Sequence, residues 1–374
     1  MSNIRVLYVS YPLLTVSEES AGGAEQMLWT LEREMYARGI ATTVAASAGS
    51  RVSGELFSTG DPCTQPDDFE RRNLEHQNRT VEFIRMNAGQ GTPFDLVHDK
   101  SGSFWPRASE IDVPVLATLH LPRNFYPRQY FENVPANVSF NCVSESQARD
   151  FPDLKSMPAV VPNGILLERF STKLIPGNDA PRNGPSARKF PSRTSLLWLG
   201  RICEEKGSHL ALEIAARAGL NITMAGQVYP FTYHQQYFER EIAPRLERMP
   251  NVTFICSPSE EQKLQLLREA KAVLITSLVE ETSSLVAMEA AACGTPVVAF
   301  RRGALPEVVL DEVTGFLANG IGDAVQALNK IEQIKSEACI QHARDNFSSK
   351  AMAHRYATLY VQLKRRQTEN ISAD

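Results

Sequence analysis

Short apolar runs alternate with amphipathic stretches along most of the chain. In the first half the runs are Ile4 to Ser10 (IRVLYVS), Ala41 to Ala46, Phe94 to His98, Val113 to His120 and Asn141 to Ser144. In the second half they are Ser195 to Arg201 (SLLWLGR), Ile222 to Gly226, Val252 to Cys256, Ala272 to Ile275 and Val297 to Phe300, with a shorter extended piece at Val313 to Leu317. Runs of this length, bounded by turn residues, read as strands buried on both faces of a parallel sheet. Between them the apolar positions change to helical spacing. Met27, Leu28, Leu31 and Met35 share one face ahead of Gly39, and Met352, Tyr356, Leu359, Tyr360 and Leu363 share another near the end. Further helices are expected over His209 to Ala218, from Ser259 to Glu269, over Leu285 to Ala292 and over Asp323 to Lys330. Only 47–79 resists the pattern: it is polar and irregular, and predicts a loop followed by a helix.

Strands alternating with helices in both halves predict an α/β protein of two Rossmann-like parallel-sheet domains. A length of 374 residues suits two domains better than one. The first is expected over 1–170 and the second over 194–348, with a terminal helix and tail over 349–374. Residues 171–193, rich in Pro, Ser and Gly, predict the linker. The formal charge of −4 argues against bulk nucleic-acid binding, and 22% charged residues are ordinary for a soluble globular chain. The six cysteines are scattered, no Cys/His cluster has zinc spacing, and no apolar run is long enough to span a membrane. With Arg5 interrupting the only candidate leader, the expectation is a cytoplasmic protein with reduced, mostly buried cysteines and no metal.

The chemistry gathers at loops that follow strands. Gly200-Arg201, then Lys206-Gly207, places two cations at a strand end and helix start, an arrangement that clamps a polyanion. Gly22-Gly23 opens a helix directly after a strand and loop, which aims backbone N–H groups at an anion; a plain tight entry to the helix is equally consistent. Glu281 falls in a loop and Glu289 within the next helix, with seven residues between them. His98 and His120 end strands, where ligands of open α/β sheets bind, although a strand-ending histidine often only completes hydrogen bonds. The loop Leu121 to Phe131 interleaves aromatic and basic residues: either it borders an anionic acceptor or it packs its rings downward. No D-x-D sequence occurs.

Taken with their flanks, these motifs resemble the family-4 glycosyltransferases of the GT-B fold. The resemblance rests on Glu281-x7-Glu289 followed by Ala-Cys-Gly-Thr-Pro-Val-Val-Ala, on Gly303-Ala-Leu-Pro-Glu307, on Gly200-Arg201-x4-Lys206-Gly207 and on Pro162-Asn163-Gly164. It implies two domains facing a central cleft, with a terminal helix crossing back to the first. It further implies a retaining, metal-independent transfer of a hexose-type sugar from a nucleotide-diphosphate sugar, without a cofactor, to a sugar, lipid-linked or small-molecule acceptor. On this reading Glu281 contacts the donor sugar and Glu289 the ribose, while Arg201 and Lys206, with Gly200, hold the diphosphate. Ser283, Ser284 and Leu285 offer N–H groups at a helix start. Gly22 and Gly23 form the loop toward the diphosphate, His120 stands near the transferred sugar, and Cys256 and Pro258 lie at the nucleobase. The family's Glu-x-Phe-Gly is Glu281-Thr282-Ser283-Ser284 here, so donor preference is expected to depart at these positions. Two other readings stay open: a nucleotide-sugar epimerase or phosphorylase on the same fold, and a nucleotide-sugar-binding protein without catalysis.

Overall fold

The computed structural model describes residues 4–20, 22–63, 66–154, 157–170 and 193–371, the side chains of Pro66 and of 367–371 excepted. The chain divides by contacts into two compact units, one built from residues up to Ile165 together with those from Phe347 onward, the other from Leu166 to Asn346. The boundary therefore follows Ile165 rather than residue 170, because the short helix Leu167–Phe170 packs on the helix Leu285–Ala292 of the second unit. Of the expected linker over 171–193, only Arg193 lies within the described residues.

In the first unit seven strands form one parallel sheet: β1 (Arg5–Val9), β2 (Ala41–Ala46), β3 (Glu55–Ser58), β4 (Leu96–Asp99), β5 (Val115–Leu119), β6 (Val138–Cys142) and β7 (Ala159–Val160). Their spatial order is β3-β2-β1-β4-β5-β6-β7. Strands β1, β4 and β5 are buried almost throughout, which explains their continuous apolar runs. β3 is a strand within a stretch expected to be loop. As an edge strand with one pairing and mostly exposed residues, ELFS carries no apolar signature. The helix Ser349–Ile371 belongs to this unit, as the expected terminal helix does. It packs on the helix Gly23–Ala37 and on β4, burying Met352, Tyr356, Tyr360 and Leu363. Polar pins fix its start: Ser349 Oγ donates to Glu34 at 2.9 Å, and Arg38 donates to the Lys350 carbonyl at 2.8 Å.

The second unit repeats the plan with β8 (Leu196–Leu199), β9 (Ile222–Gly226), β10 (Val252–Cys256), β11 (Ala272–Ile275), β12 (Val297–Phe300) and β13 (Gly315–Ala318), all parallel, in the order β10-β9-β8-β11-β12-β13. Strand order reverses between β8 and β11 here and between β1 and β4 in the first unit; ligands of doubly wound sheets bind beyond the strand ends at such reversals. Two helices show why the sequence starts and stops where it does. Ser259 and Gln262 form a reciprocal capping box at the start of Glu260–Glu269. Leu285–Ala292 starts on Ser284, whose side chain accepts the Ala287 N–H at 3.3 Å, and stops before Gly294 and Pro296. This second helix is buried on nearly every side, so it carries no polar face. Among the described residues no helix is long and apolar enough to cross a membrane.

Candidate active site

In the second unit the strand ends at the β8–β11 reversal bring several expected site residues together. After β8 the chain passes through Gly200 and Arg201 into a single turn over Glu204–Lys206 and then Gly207, which opens the helix Ser208–Ala218. Gly207 takes φ +62, and a Cβ there would lie 2.1 Å from the Thr276 carbonyl oxygen, so no other residue allows this approach of the turn to the end of β11. Thr276 Oγ1 donates back to the Gly207 carbonyl at 2.7 Å. The turn delivers Lys206 Nζ to Glu281 Oε1 at 2.6 Å, with Lys206 partly exposed and Glu281 almost fully buried. Ser277 Oγ donates to the same carboxylate oxygen. Arg201 is exposed and lies over the Tyr229 ring at 5.7 Å, a support that the sequence did not suggest.

The Glu281 loop is itself fastened. Gly303, at φ +53, would place a Cβ 2.2 Å from the Glu281 carbonyl oxygen, and the Ala304 N–H donates to that oxygen at 2.6 Å. Glu280 accepts from the Gly303 N–H and pairs with Arg302 at 3.4 Å. The Gly303-x-x-Pro-Glu307 motif thus works here as a clasp on the loop that carries Glu281. Ser284 is occupied as the cap of Leu285–Ala292, whereas Ser283 Oγ is buried and has no hydrogen-bond partner among the described residues. Such an orphan hydroxyl at a helix start suits an incoming polar ligand.

Glu289 lies within that helix, 6% exposed, with Lys263 Nζ at 3.1 Å. Burial raises its carboxyl above the ordinary range, and Lys263 pulls it back. Lys263 in turn loses basicity to burial but gains more from Glu289 and Glu260, so it stays charged. Lys263 was not singled out from the sequence: on the amphipathic helix Glu260–Glu269 it reads as an ordinary exposed lysine. Cys256 and Pro258 end the edge strand β10 and its turn, and among the described residues no hydrogen bond or ion pair joins them to Arg201, Lys206, Glu281 or Glu289. Cys256 is exposed, in contrast to the other five cysteines, which are buried, and all six are free thiols.

In the first unit Gly22 takes an extended conformation ahead of Gly23–Ala37, and no side chain caps that helix. A small pocket beside it is lined by Ser10, Tyr11, Ala24, Glu25, Leu28 and Lys100. Glu25 is buried, which raises its carboxyl. His120 follows β5, half-buried, and its backbone N–H donates to Tyr126 Oη at 3.0 Å. Burial, with Lys100 adding repulsion, holds its ring well below the usual histidine range and therefore neutral. His98 is different. Nδ1 meets Tyr360 Oη at 2.6 Å and Nε2 meets Thr118 Oγ1 at 2.7 Å, so it completes internal hydrogen bonds. In the 121–131 loop Tyr126 and Phe131 pack downward and Arg123 covers the Phe131 ring at 4.4 Å, while Phe125 stays exposed.

Residues 182–353 match the family described as glycosyl transferases, group 1. Over this stretch the chain is similar to the group 1 glycosyltransferases. The same residues hold the Arg201, Lys206, Glu281 and Glu289 motifs. Among similar proteins, the D-inositol 3-phosphate glycosyltransferase of Mycolicibacterium smegmatis is 31% identical over 177 residues, 46% of this chain and 41% of that protein. The protein of the same name from Mycobacteroides abscessus is 29% identical over 374 aligned positions, 89% of this chain and 83% of that protein. The chain thus spans less than half the length of the first of these relatives and most of the second. Among solved structures, sucrose-phosphate synthase of Thermosynechococcus elongatus aligns with TM-score 0.74 at 19% identity, covering 96% of this chain and 99% of that one. Anabaena HepE in complex with UDP and glucose aligns with TM-score 0.72 at 15% identity, covering 96% and 100%. At such identities these likenesses establish the fold, which is that of the GT-B glycosyltransferases.

Proposed function

We propose that this chain is a glycosyltransferase that moves a sugar from a nucleotide-diphosphate sugar to an acceptor, with retention of anomeric configuration. The observation that carries this reading is the Lys206–Glu281 pair, on the segment after β8 that also carries Arg201, at the strand-order reversal of the second unit. Transfer breaks the bond between the anomeric carbon and the diphosphate oxygen, which leaves with the electron pair. Arg201 and Lys206 meet that developing charge in place of a metal ion, with Gly200 and the N–H groups at Ser283, Ser284 and Leu285 close to the phosphates. Glu281, already oriented by Lys206 and Ser277, receives the sugar hydroxyls, and Glu289, held by Lys263, receives the ribose. The acceptor oxygen bonds to the anomeric carbon on the face that the diphosphate leaves, and its proton passes to the departing phosphate oxygen. Gly22, Gly23 and His120 keep in this proposal the diphosphate and sugar roles that the family resemblance implies for them, and the backbone around Cys256 and Pro258 supplies the base contacts. No cofactor takes part in this scheme.

The test is a transfer assay with the full chain. HepE holds UDP and glucose, and the curated relatives carry inositol 3-phosphate in their names, so UDP-glucose with inositol 3-phosphate is the first pair to try, followed by GDP- and ADP-sugars and further acceptors. Product with retained configuration, and its loss in Arg201→Ala/Lys206→Ala, supports the reading. Donor binding with no transfer or hydrolysis across the panel returns a sugar-nucleotide binder, and a changed sugar without acceptor returns an epimerase; either result overturns it.

A further inference from the structure

Three side chains that the transfer scheme does not use converge behind the Arg201–Lys206 turn. Cys203, Glu205 and His234 each bring one ligand atom into a group whose members all lie within 4.8 Å of one another. Cys203 and Glu205 come from the turn between β8 and the helix Ser208–Ala218, and His234 comes from the helix Thr232–Tyr237. Cys203 and His234 are both 0% exposed, and Glu205 is half-buried.

What sets the cluster apart is how little the protein itself does to satisfy it. Both ring nitrogens of His234 and Oε2 of Glu205 are buried without a hydrogen-bond partner among the described residues. A buried polar atom without a partner is costly in a folded protein, and here one ring nitrogen of His234 lies within reach of both Glu205 and Cys203, so the group calls for an occupant. The Cys203 thiol makes only a long contact, 3.6 Å, to the Arg201 carbonyl and a hydrogen bond to Glu205. Tyr229, Phe231 and Tyr233 surround the His234 ring at ring distances of 6.1, 5.4 and 4.2 Å, a largely apolar jacket that limits water.

We propose that Cys203, Glu205 and His234 form a binding site for a zinc-class divalent ion. A thiolate, an imidazole and a carboxylate form a donor set that suits zinc and excludes magnesium and calcium, which take oxygen ligands. Bonds of about 2.0–2.3 Å in a tetrahedron put ligand atoms roughly 3.3–3.8 Å apart. The cluster reaches that spacing by closing about 1 Å, a shift that side-chain rotation supplies. Three protein ligands leave the fourth position to water. The ion ties the turn that carries Arg201 and Lys206 to the helix Thr232–Tyr237, fixing the two cations from behind. Nothing in the sequence gives the site away, because Cys203-x-Glu205 and a distant histidine have none of the regular spacings of zinc motifs. The site stands on these three side chains and does not depend on the proposed transfer.

The experiment is metal binding to the chelator-stripped full chain. With cobalt(II) chloride the wild type is expected to show the charge-transfer absorption of a cobalt–thiolate bond at one ion per chain, displaced by zinc chloride and unaffected by magnesium chloride. Cys203→Ser should remove the band, and His234→Gln should weaken zinc binding at least tenfold in calorimetry. Cys63→Ser, in the other unit, should change neither. Absence of a stoichiometric thiolate band in the wild type overturns the proposal without reference to any variant. A band and affinity that survive Cys203→Ser and His234→Gln assign the ion to other residues and overturn it as well.

Discussion

The two sheets share one strand order, yet the ground beyond their order reversals is filled in opposite ways. Around β1 and β4 the polar groups close on one another. His98 spends both ring nitrogens on Tyr360 and Thr118, Tyr360 reaches Tyr8 at 3.2 Å, Thr118 donates to Asn141 at 2.8 Å, and Asn141 donates to Tyr356 at 3.0 Å. Asp99 accepts the N–H groups of Ser101, Gly102, Phe104 and Trp105 at 2.9–3.0 Å and the Ser101 hydroxyl at 2.6 Å. Around β8 and β11 the polar groups stay incomplete: Arg201 is exposed and makes no ion pair among the described residues, Lys206 is partly exposed, and the Ser283 hydroxyl is unsatisfied. A saturated network stabilises and orients the backbone that runs through it. An unsaturated one has capacity left for a ligand. The comparison assigns stability to the His98–Asp99 network of the first reversal and ligand binding to the open groups of the second.

The widest separation of the two roles comes from deleting each at its centre. Arg201→Ala/Lys206→Ala should lower the transfer rate by about 10⁴-fold, since each lost charge-stabilising contact is worth on the order of 10²–10³, while urea midpoints should fall less than for Asp99→Ala, because Arg201 and Lys206 reach solvent and Ser277 still donates to the Glu281 carboxylate. Asp99→Ala should do the reverse. It strands four buried N–H groups, and removing a fully bonded buried charge costs roughly 3–5 kcal/mol. Urea unfolding measures that loss, and calorimetry with the donor should find the affinity of the surviving folded protein unchanged. If Asp99→Ala instead spares stability and removes donor binding, the assignment is reversed.

The same contrast decides what could be read from the sequence. Arg201, Lys206 and Glu281 sit in loops and Glu289 interrupts an otherwise apolar helix, so each breaks an apolar pattern and is noticed. Both sheets were legible through their buried strands, and the terminal helix through the apolar spacing of Met352, Tyr356, Tyr360 and Leu363. The first reversal was hidden because His98, at the end of an apolar run, and Lys100 just beyond it meet Tyr360 and Tyr356, hundreds of positions away, while Asp99 is held by backbone N–H groups that no side-chain pattern marks. Lys263 and the Cys203–Glu205–His234 group were missed for the same reason: each depends on residues brought together across the fold. Edge strand β3 was missed because exposure removes the apolar signal by which the other strands were found.

Lys100 offers a smaller and more specific test. It is 2% exposed, and burial depresses its ammonium to about 7, with Asp99 opposing. The folded protein therefore releases this proton well below the range near 10.5 in which the unfolded chain does. Between those values the unfolded state holds the extra proton, so stability rises with pH and the contribution is lost as pH falls toward 7. Urea unfolding from pH 7 to pH 9 should show a slope approaching about 1.4 kcal/mol per pH unit in the wild type that disappears in Lys100→Met. The two proteins must be compared at each pH, because Tyr8, Tyr126 and Tyr356, raised by burial, add an opposing loss once unfolded tyrosines ionise near 10. A wild-type slope equal to that of the variant would mean that Lys100 is solvated and the first reversal more open than its hydrogen bonds imply.

The smallest expected effect bears most directly on the second reversal. Ser283 Oγ is buried and has no partner among the described residues. Replacing an unsatisfied hydroxyl with hydrogen removes a desolvation cost and no native hydrogen bond, so Ser283→Ala should leave stability unchanged or raise it by up to about 1 kcal/mol. Ser284→Ala, one residue on, removes a helix cap and should cost about 1 kcal/mol. If the hydroxyl of Ser283 waits for a polar group of the donor, its loss should weaken donor binding several-fold, the worth of about one neutral hydrogen bond. Two neighbouring serines thus move stability in opposite directions, and only Ser283 trades stability for affinity. Calorimetry and thermal melting on the two variants separate these outcomes. A Ser283→Ala variant that loses stability and keeps full donor affinity would place that hydroxyl in the scaffold, and the second reversal would then be as closed as the first.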